Sequence, residues 1–167
     1  MMNINWLVVL GTGIIPLIIG GLWYSPMLFA NAWMKAADMT EEKMKGANMA
    51  LIFGLTLLFG VMISLVIMNL VIHQMHYYSI LANNQEMADP NSAISQATKA
   101  FMDVNGANFR TFKHGALHGS LTGLFLALPM TSIMSLFERK GLNYILIHSG
   151  YWILTFTLMG GIICAFA

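Results

Sequence analysis

Residues 49–72 read MALIFGLTLLFGVMISLVIMNLVI, a run of 24 residues without Asp, Glu, Lys or Arg. A helix needs about 20 mostly apolar residues to cross the roughly 30 Å hydrocarbon core of a bilayer. The run therefore predicts a membrane-spanning helix. Three further stretches meet the same criterion and predict spans at about residues 6–23, 115–137 and 144–166.

The composition of the whole chain is that of a membrane protein. Of its 167 residues, 57% are hydrophobic and 9% are charged, and the mean hydropathy is +0.69. A typical globular chain carries roughly a quarter charged residues, and a water-soluble surface cannot be built from so few. We therefore expect an all-α, polytopic membrane protein, with four transmembrane helices in an antiparallel bundle and the lipid bilayer as its solvent.

Charge and cysteine content exclude two other classes. The formal net charge of +1 gives no electrostatic footprint for a polyanion, so we expect no nucleic-acid partner. Cys164 is the single cysteine and cannot form an internal disulfide.

The connector after the first span contains two local signals. Residues 26–34 are apolar but too short to cross a bilayer, so they predict a segment lying in the membrane interface with Trp33 as its anchor. Thr40 suits a helix N-cap, with Glu41 following it. We therefore expect the second helix to begin near Glu41 and to continue into its span.

Residues 77–113 are the one sizeable polar connector of a single domain that covers residues 1–167. Apolar residues spaced three and four apart predict a short amphipathic helix that Asn91 caps and that ends at Asn105 and Gly106. A disordered loop is the alternative. The short connector 138–141 predicts a tight turn that makes the third and fourth spans antiparallel neighbours.

The distribution of Lys and Arg predicts the orientation. The first and third connectors together hold five of these residues and the second holds three: Lys35, Lys43, Lys45, Arg139 and Lys140 against Lys99, Arg110 and Lys113. By the positive-inside rule, the first and third connectors face the cytoplasm. Both termini and the connector 77–113 are then expected outside.

Glycines indicate how the helices pack. Gly115, Gly119 and Gly123 recur at every fourth residue of the third span and form a smooth groove. In lipid, small residues let helix backbones approach closely. Packing within one chain is the favoured interpretation, and packing against a second copy of the chain is the alternative.

Several short motifs resemble those of one family of small bacterial membrane proteins. Gly21–Pro26 reads GLWYSP and Ala32–Met34 reads AWM, which places the motif residues at Trp23, Tyr24, Pro26 and Trp33. With these motifs the chain resembles the domain-of-unknown-function 1761 family. The resemblance implies four spans in a bacterial inner membrane, and it supplies no catalytic residue.

Four histidines lie at the ends of the second and third spans. Asn69, His73 and His76 follow spacings of four and three, and His114 and His118 are four apart, so each set predicts one helix face. Both ends lie on the same membrane side. The four imidazoles are therefore a candidate site for Zn²⁺ or Cu²⁺, or for axial ligation of a haem. The alternative is that they are amphipathic residues at the headgroup level, and no H-E-x-x-H motif is present.

Polar residues inside the spans are few, and the candidates are Asn69, His148 and Thr155. His148 lies about one turn inside the fourth span, on the opposite membrane side from the other histidines. All seven acidic residues lie in connectors, so a proton relay through His148 lacks a carboxylate partner within the spans. We therefore expect a neutral His148 that is hydrogen-bonded within the bundle, with a role in transport as the alternative.

No catalytic constellation is found, because the chain lacks a G-x-S-x-G motif and Cys164 has no base near it in sequence. The favoured hypothesis is an accessory or structural bundle of the inner membrane, not an enzyme, that associates with itself or with a larger membrane complex. The alternative is a small oligomeric transporter or channel. The third hypothesis is a metal or haem protein built on the histidine cluster.

Overall fold

The computed structural model describes residues 3–167, and all regular secondary structure in that range is helical, with no β-strand. Its helices are α1 (Trp6–Trp23), α2 (Ala30–Ala37), α3 (Glu41–Met44), α4 (Met49–Val71), α5 (His73–Leu81), α6 (Ala93–Asn105), α7 (Phe112–Phe137) and α8 (Leu142–Phe166). A 3₁₀ turn, Gln85–Ala88, lies between α5 and α6. The all-α fold class is confirmed.

Four of these helices, α1, α4, α7 and α8, are long and apolar enough to cross a membrane. This confirms the four predicted spans, whose ends shift by at most three residues. The second span ends at Val71 and the fourth begins at Leu142. The third begins at Phe112, because the Thr111 hydroxyl accepts a hydrogen bond from the His114 N–H and so caps the helix earlier than hydropathy indicates.

Helix α8 is at the centre of the bundle. It packs against α7 along its length and also contacts α1, α2 and α4. The fully buried side chains around it include Val9 of α1, Ile67 of α4, and Met159 and Ile163 of α8 itself. Most of the apolar side chains of α4 and α7 are exposed, as a surface in contact with lipid requires.

The contact between α7 and α8 depends on glycine. A Cβ atom on Gly115 would overlap the Gly160 carbonyl oxygen, and one on Gly119 would overlap that of Phe156. A Cβ on Gly123 would lie 2.6 Å from the Ile153 Cα atom. The glycine groove of α7 is therefore occupied by α8 of the same chain.

The first connector corrects one expectation. Helix α3 ends at Met44, so the prediction that the second helix runs from Glu41 into its span is wrong. Lys45 has an extended ψ of 138° and Gly46 has a φ of +85°, and this backbone cannot continue a right-handed helix. A new helix starts at Met49, capped by Asn48, whose side chain accepts a hydrogen bond from the Leu51 N–H.

The second connector is largely helical. Ser92, not the expected Asn91, caps α6, because its hydroxyl accepts a hydrogen bond from the Ser95 N–H at 3.2 Å. Phe101 of α6 stacks on Tyr77 of α5, with ring centroids 4.7 Å apart and planes 5° apart. This aromatic pair holds the amphipathic helix against α5.

The glycine contact predicts a selective loss of stability. We expect Gly119→Ala to lower the free energy of unfolding by about 1–3 kcal/mol, because its methyl group overpacks the α7 to α8 interface. Gly21→Ala is the matched control, since a Cβ there meets no atom within 4 Å. Thermal unfolding in detergent measures both variants. Equal midpoints for the two variants would contradict the assigned role of Gly119.

Candidate metal centre

Three histidines meet where α4, α5 and α7 come together. His73 is the first residue of α5, and His114 and His118 lie in the first two turns of α7. The Thr111 cap starts α7 just before the pair, and the i, i+4 spacing places both imidazoles on the side facing His73.

The geometry of this cluster suits one small cation. The Nε2 atoms of His73 and His114 are 3.1 Å apart, and one ring nitrogen from each of the three histidines lies within 4.8 Å of the other two. Ligands at about 2.0–2.1 Å from a tetrahedral Zn²⁺ lie about 3.3 Å from one another. Small side-chain rotations therefore bring His73, His114 and His118 to coordination distance.

The electrostatics of the cluster favour the neutral form of His73. Desolvation, followed by the nearby imidazoles of His118 and His114, holds the pKa of His73 below its ordinary value of 6.5. A neutral imidazole has a free lone pair, which a metal ion requires. The group holds no carboxylate, so its chemistry is that of a nitrogen-ligand site.

The Phe109 ring packs against the cluster, and the sequence pattern gives no sign of this contact. Its ring centroid lies 5.0 Å from that of His114. The residue has a φ of +63°, an unusual value for a bulky side chain, and its carbonyl accepts hydrogen bonds from the Thr111 N–H and from the Cys164 thiol. The buried Cys164 thus fixes the loop that carries Phe109.

Arg110 follows Phe109, and the sequence pattern indicates for it only a contribution to membrane orientation. Its guanidinium donates hydrogen bonds to the backbone oxygens of Cys164, at 3.0 Å, and Ala167, at 2.7 Å. A cation at a helix C-terminus complements the helix dipole. Arg110 therefore ties the loop before α7 to the last turn of α8.

His76 does not join the other three histidines. The expectation of one continuous helix from Asn69 through His76 is wrong, because the backbone leaves α4 at Ile72 with φ −101° and ψ +89°. The Ile72 side chain is fully buried in the core, and α5 begins after it in a different direction. His76 is exposed on α5, and the Asn69 amide donates to the Leu65 carbonyl of its own helix.

The other intramembrane polar residues lie apart from this cluster and from one another. His148 is near the opposite end of α8, where its Nδ1 atom is 2.9 Å from the Tyr24 hydroxyl. Thr155 is fully buried, and its hydroxyl donates to the Tyr151 carbonyl one turn earlier. Asn69 and Thr155 are thus each bonded to a carbonyl of their own helix, and His148 is bonded to the residue after α1.

The motif residues before α2 anchor α1 to α8. The Trp23 indole N–H donates to the Ile147 carbonyl at 3.0 Å, and Tyr24 bonds to the adjacent residue, His148. Trp33 packs edge-on against Tyr24, with ring centroids 5.7 Å apart. Pro26 lies in the tight turn between them. The Tyr24 to His148 pair joins residues 124 apart, so no local pattern could indicate it.

Fold and cluster together define a helical bundle of the membrane-spanning type with histidines gathered at one end. The family model for Protein of unknown function (DUF1761) matches residues 6–164, so the chain belongs to that family. Comparison with curated proteins and with solved structures gave no significant match.

The lowered pKa of His73 has a pH-dependent consequence in metal-free buffer. Folded His73 binds its proton more weakly than unfolded His73, so stability falls as the pH drops through 6.5 and the unfolded chain takes up the proton. We expect His118→Ala to raise the pKa of His73 toward 6.5 and to reduce this acid loss, because one neighbouring imidazole is removed.

An NMR titration of the His73 ring in chelator-treated protein measures that shift. His148→Asn, at the other end of the bundle, is the control and is expected to leave the titration unchanged. A His73 pKa that stays constant or falls in His118→Ala would show that the neighbouring imidazole has no such effect.

Proposed function

We propose that this chain is an integral membrane protein that binds one transition-metal ion through His73, His114 and His118. The observation that carries the proposal is the convergence of one ring nitrogen from each of the three residues within 4.8 Å. Two of the ligands come from α7 and one from α5, so metal binding would tie the connector after α4 to the bundle.

The ligand chemistry selects the class of metal. Imidazole nitrogens suit Zn²⁺, Cu²⁺ and related ions, whereas Mg²⁺ and Ca²⁺ prefer oxygen ligands, which the cluster lacks. Three protein ligands leave a fourth position for water or another small ligand. The imidazole centroids lie only 4.5–4.9 Å apart, so no porphyrin fits between two of them, and a single ion is favoured over a haem.

Metal analysis of the detergent-purified chain tests this function. After incubation with Zn²⁺ or Cu²⁺ and desalting, we expect about one ion per wild-type chain and a background level in the His114→Ala, His118→Ala double variant. His76→Ala and His148→Ala are matched controls that remove an imidazole outside the cluster, and both are expected to retain the ion.

Two results would contradict the metal site. The first is equal metal content in wild type and in a double variant whose circular dichroism and thermal midpoint show a retained fold. The second is an equal loss of metal in His76→Ala, which would place the binding group elsewhere on the chain.

A structural or accessory role is our second proposal, in which the bundle associates with itself or with a larger membrane complex. Since the α7 glycines are occupied inside the chain, we assign this contact to α4, where a Cβ on the exposed Gly54 would meet no atom within 4 Å. Two helices can approach closely at such a position. The third proposal, an oligomeric transporter or channel, has less support because the Asn69 and Thr155 side chains already bond to carbonyls of their own helices.

The mass of the purified chain in a mild detergent checks self-association. We expect a dimer whose fraction falls in Gly54→Leu, because the larger side chain fills the space into which the second helix would pack. Gly21→Leu provides a control at another open glycine. A monomer at every concentration would contradict self-association through α4.

For the location we propose a bacterial inner membrane, with the three-histidine cluster on the outer face. The support is the Lys and Arg asymmetry of the connectors, which puts the α1 to α4 and α7 to α8 connectors inside. In this orientation the metal would be taken from the extracytoplasmic side.

A further inference from the structure

A second polar site lies at the end of the bundle opposite the three-histidine cluster. It is a cavity of about 180 Å³ between the end of α7 and the first turns of α8. Its polar and aromatic lining comes from α7 and the residue that follows it, Thr131, Ser135 and Glu138, and from one face of α8, Tyr144, His148 and Trp152. The volume has room for about six water molecules or for one small polar group.

The α7 side of this cavity offers hydrogen-bond acceptors. The Thr131 hydroxyl donates its proton to the Ala127 carbonyl at 2.7 Å, and the Ser135 hydroxyl donates to the Thr131 carbonyl at 2.6 Å. Both hydroxyl oxygens therefore keep lone pairs for another donor. The Glu138 carboxylate adds a negative charge and forms no ion pair with any residue in the range 3–167.

His148 contributes one donor that has no acceptor. Burial, with the nearby Tyr151 and Tyr144, holds the pKa of Tyr24 above its ordinary value, so its phenol keeps its proton. Among the described residues its hydroxyl bonds only to the His148 Nδ1 atom, and we assign the phenol as the donor of that bond. The proton of the neutral imidazole is then on Nε2, which is buried and has no partner within the described chain.

Aromatic rings complete the wall of the cavity. The rings of Tyr144 and Trp152 present π faces, which attract cations. The Lys140 ammonium already lies 5.8 Å from the centroid of the Tyr144 ring. A carboxylate, two hydroxyl acceptors and aromatic faces together are suited to a small cation that carries N–H donors.

A neighbouring cavity has the opposite charge. It has a volume of about 510 Å³, shares Tyr144 with the first cavity and is lined by Lys35 of α2 and Asn143 of α8. The first cavity lies beside the last turns of α7 and the second beside α2, and both reach the first turn of α8, which is the level of the lipid headgroups for a helix that spans a bilayer. The two cavities thus place an acidic, aromatic pocket next to a basic one at the membrane surface.

We propose that these two cavities bind the headgroup of a zwitterionic phospholipid that carries a primary ammonium group, the phosphoethanolamine type. The ammonium occupies the smaller cavity against Glu138, Thr131 and the aromatic rings. The phosphate lies toward Lys35, and the His148 Nε2–H donates to a headgroup oxygen. This assignment uses no residue of the three-histidine cluster and holds whether or not that cluster binds a metal.

Lipid competition on the full chain tests the assignment. The chelator-treated protein is placed in nanodiscs of equal parts phosphatidylethanolamine and phosphatidylcholine. It is then released from the nanodiscs, and the lipids that it retains are identified by native mass spectrometry. Because choline has no N–H donor, we expect the wild type to retain phosphatidylethanolamine over phosphatidylcholine by roughly tenfold.

The variants isolate the two recognition elements. Glu138→Gln is expected to reduce the preference to near unity, and His148→Phe to weaken it in part while the aromatic volume is kept. Glu42→Gln is the matched control, since it removes an exposed carboxylate of the first connector and touches neither cavity. Equal retention of the two lipids by wild type, or an equal effect of Glu138→Gln and Glu42→Gln, would overturn the proposal.

A further experiment distinguishes binding of the lipid headgroup from binding of a soluble amine of the same chemistry. Free ethanolamine is titrated into protein held in phosphatidylcholine nanodiscs, and binding is followed by tryptophan fluorescence, to which Trp152 contributes. No binding, together with the lipid preference above, supports a lipid site. Saturable binding that Glu138→Gln abolishes would assign the cavity to a small soluble amine and overturn the lipid assignment.

Discussion

Apolar side chains gain little by leaving lipid for the interior of a membrane protein, so spanning helices depend on close backbone contact and on polar contacts to associate. In this chain one such contact joins α7 to α8, where Gly115 and Gly119 lie directly against the carbonyls of Gly160 and Phe156. The contact sets the relative position of the two helices along their whole length. It therefore affects the geometry of both ends, since the histidine cluster takes two side chains from α7 and the opposite cavity takes side chains from α7 and α8.

At one end, hydrogen bonds connect the histidine cluster to this helix pair. Arg110 bonds to the last turn of α8, and the Thr111 cap fixes where α7 begins and hence where His114 and His118 point. At the other end, Trp23 and Tyr24 bond to successive residues of α8 and close α1 onto it. The bundle is thus tied at each end by polar groups, and glycine packing joins α7 to α8 from the histidine end as far as Gly123.

The sequence predicts the spans well because hydropathy over 20 residues depends on composition alone and not on backbone angles. Prediction from the sequence fails where a single residue changes the backbone direction. Ile72 is apolar like its neighbours, and nothing in its pattern shows that the helix breaks there and separates His76 from His73. Contacts between distant residues, such as that of Tyr24 with His148, depend on how α1 lies against α8, which periodicity does not specify.

The accessibility of the buried Cys164 thiol reports whether one end of the bundle is closed. The carbonyl oxygens of Val71 and Phe109 lie 3.4 Å and 3.2 Å from the Cys164 sulfur and share its one S–H donor, so one atom joins α8 to the end of α4 and to the loop over the histidines. A reagent from solution reaches this sulfur only when these three segments come apart. Because the chain has no other cysteine, the rate of thiol modification reports the opening of that end of the bundle alone, without any engineered label.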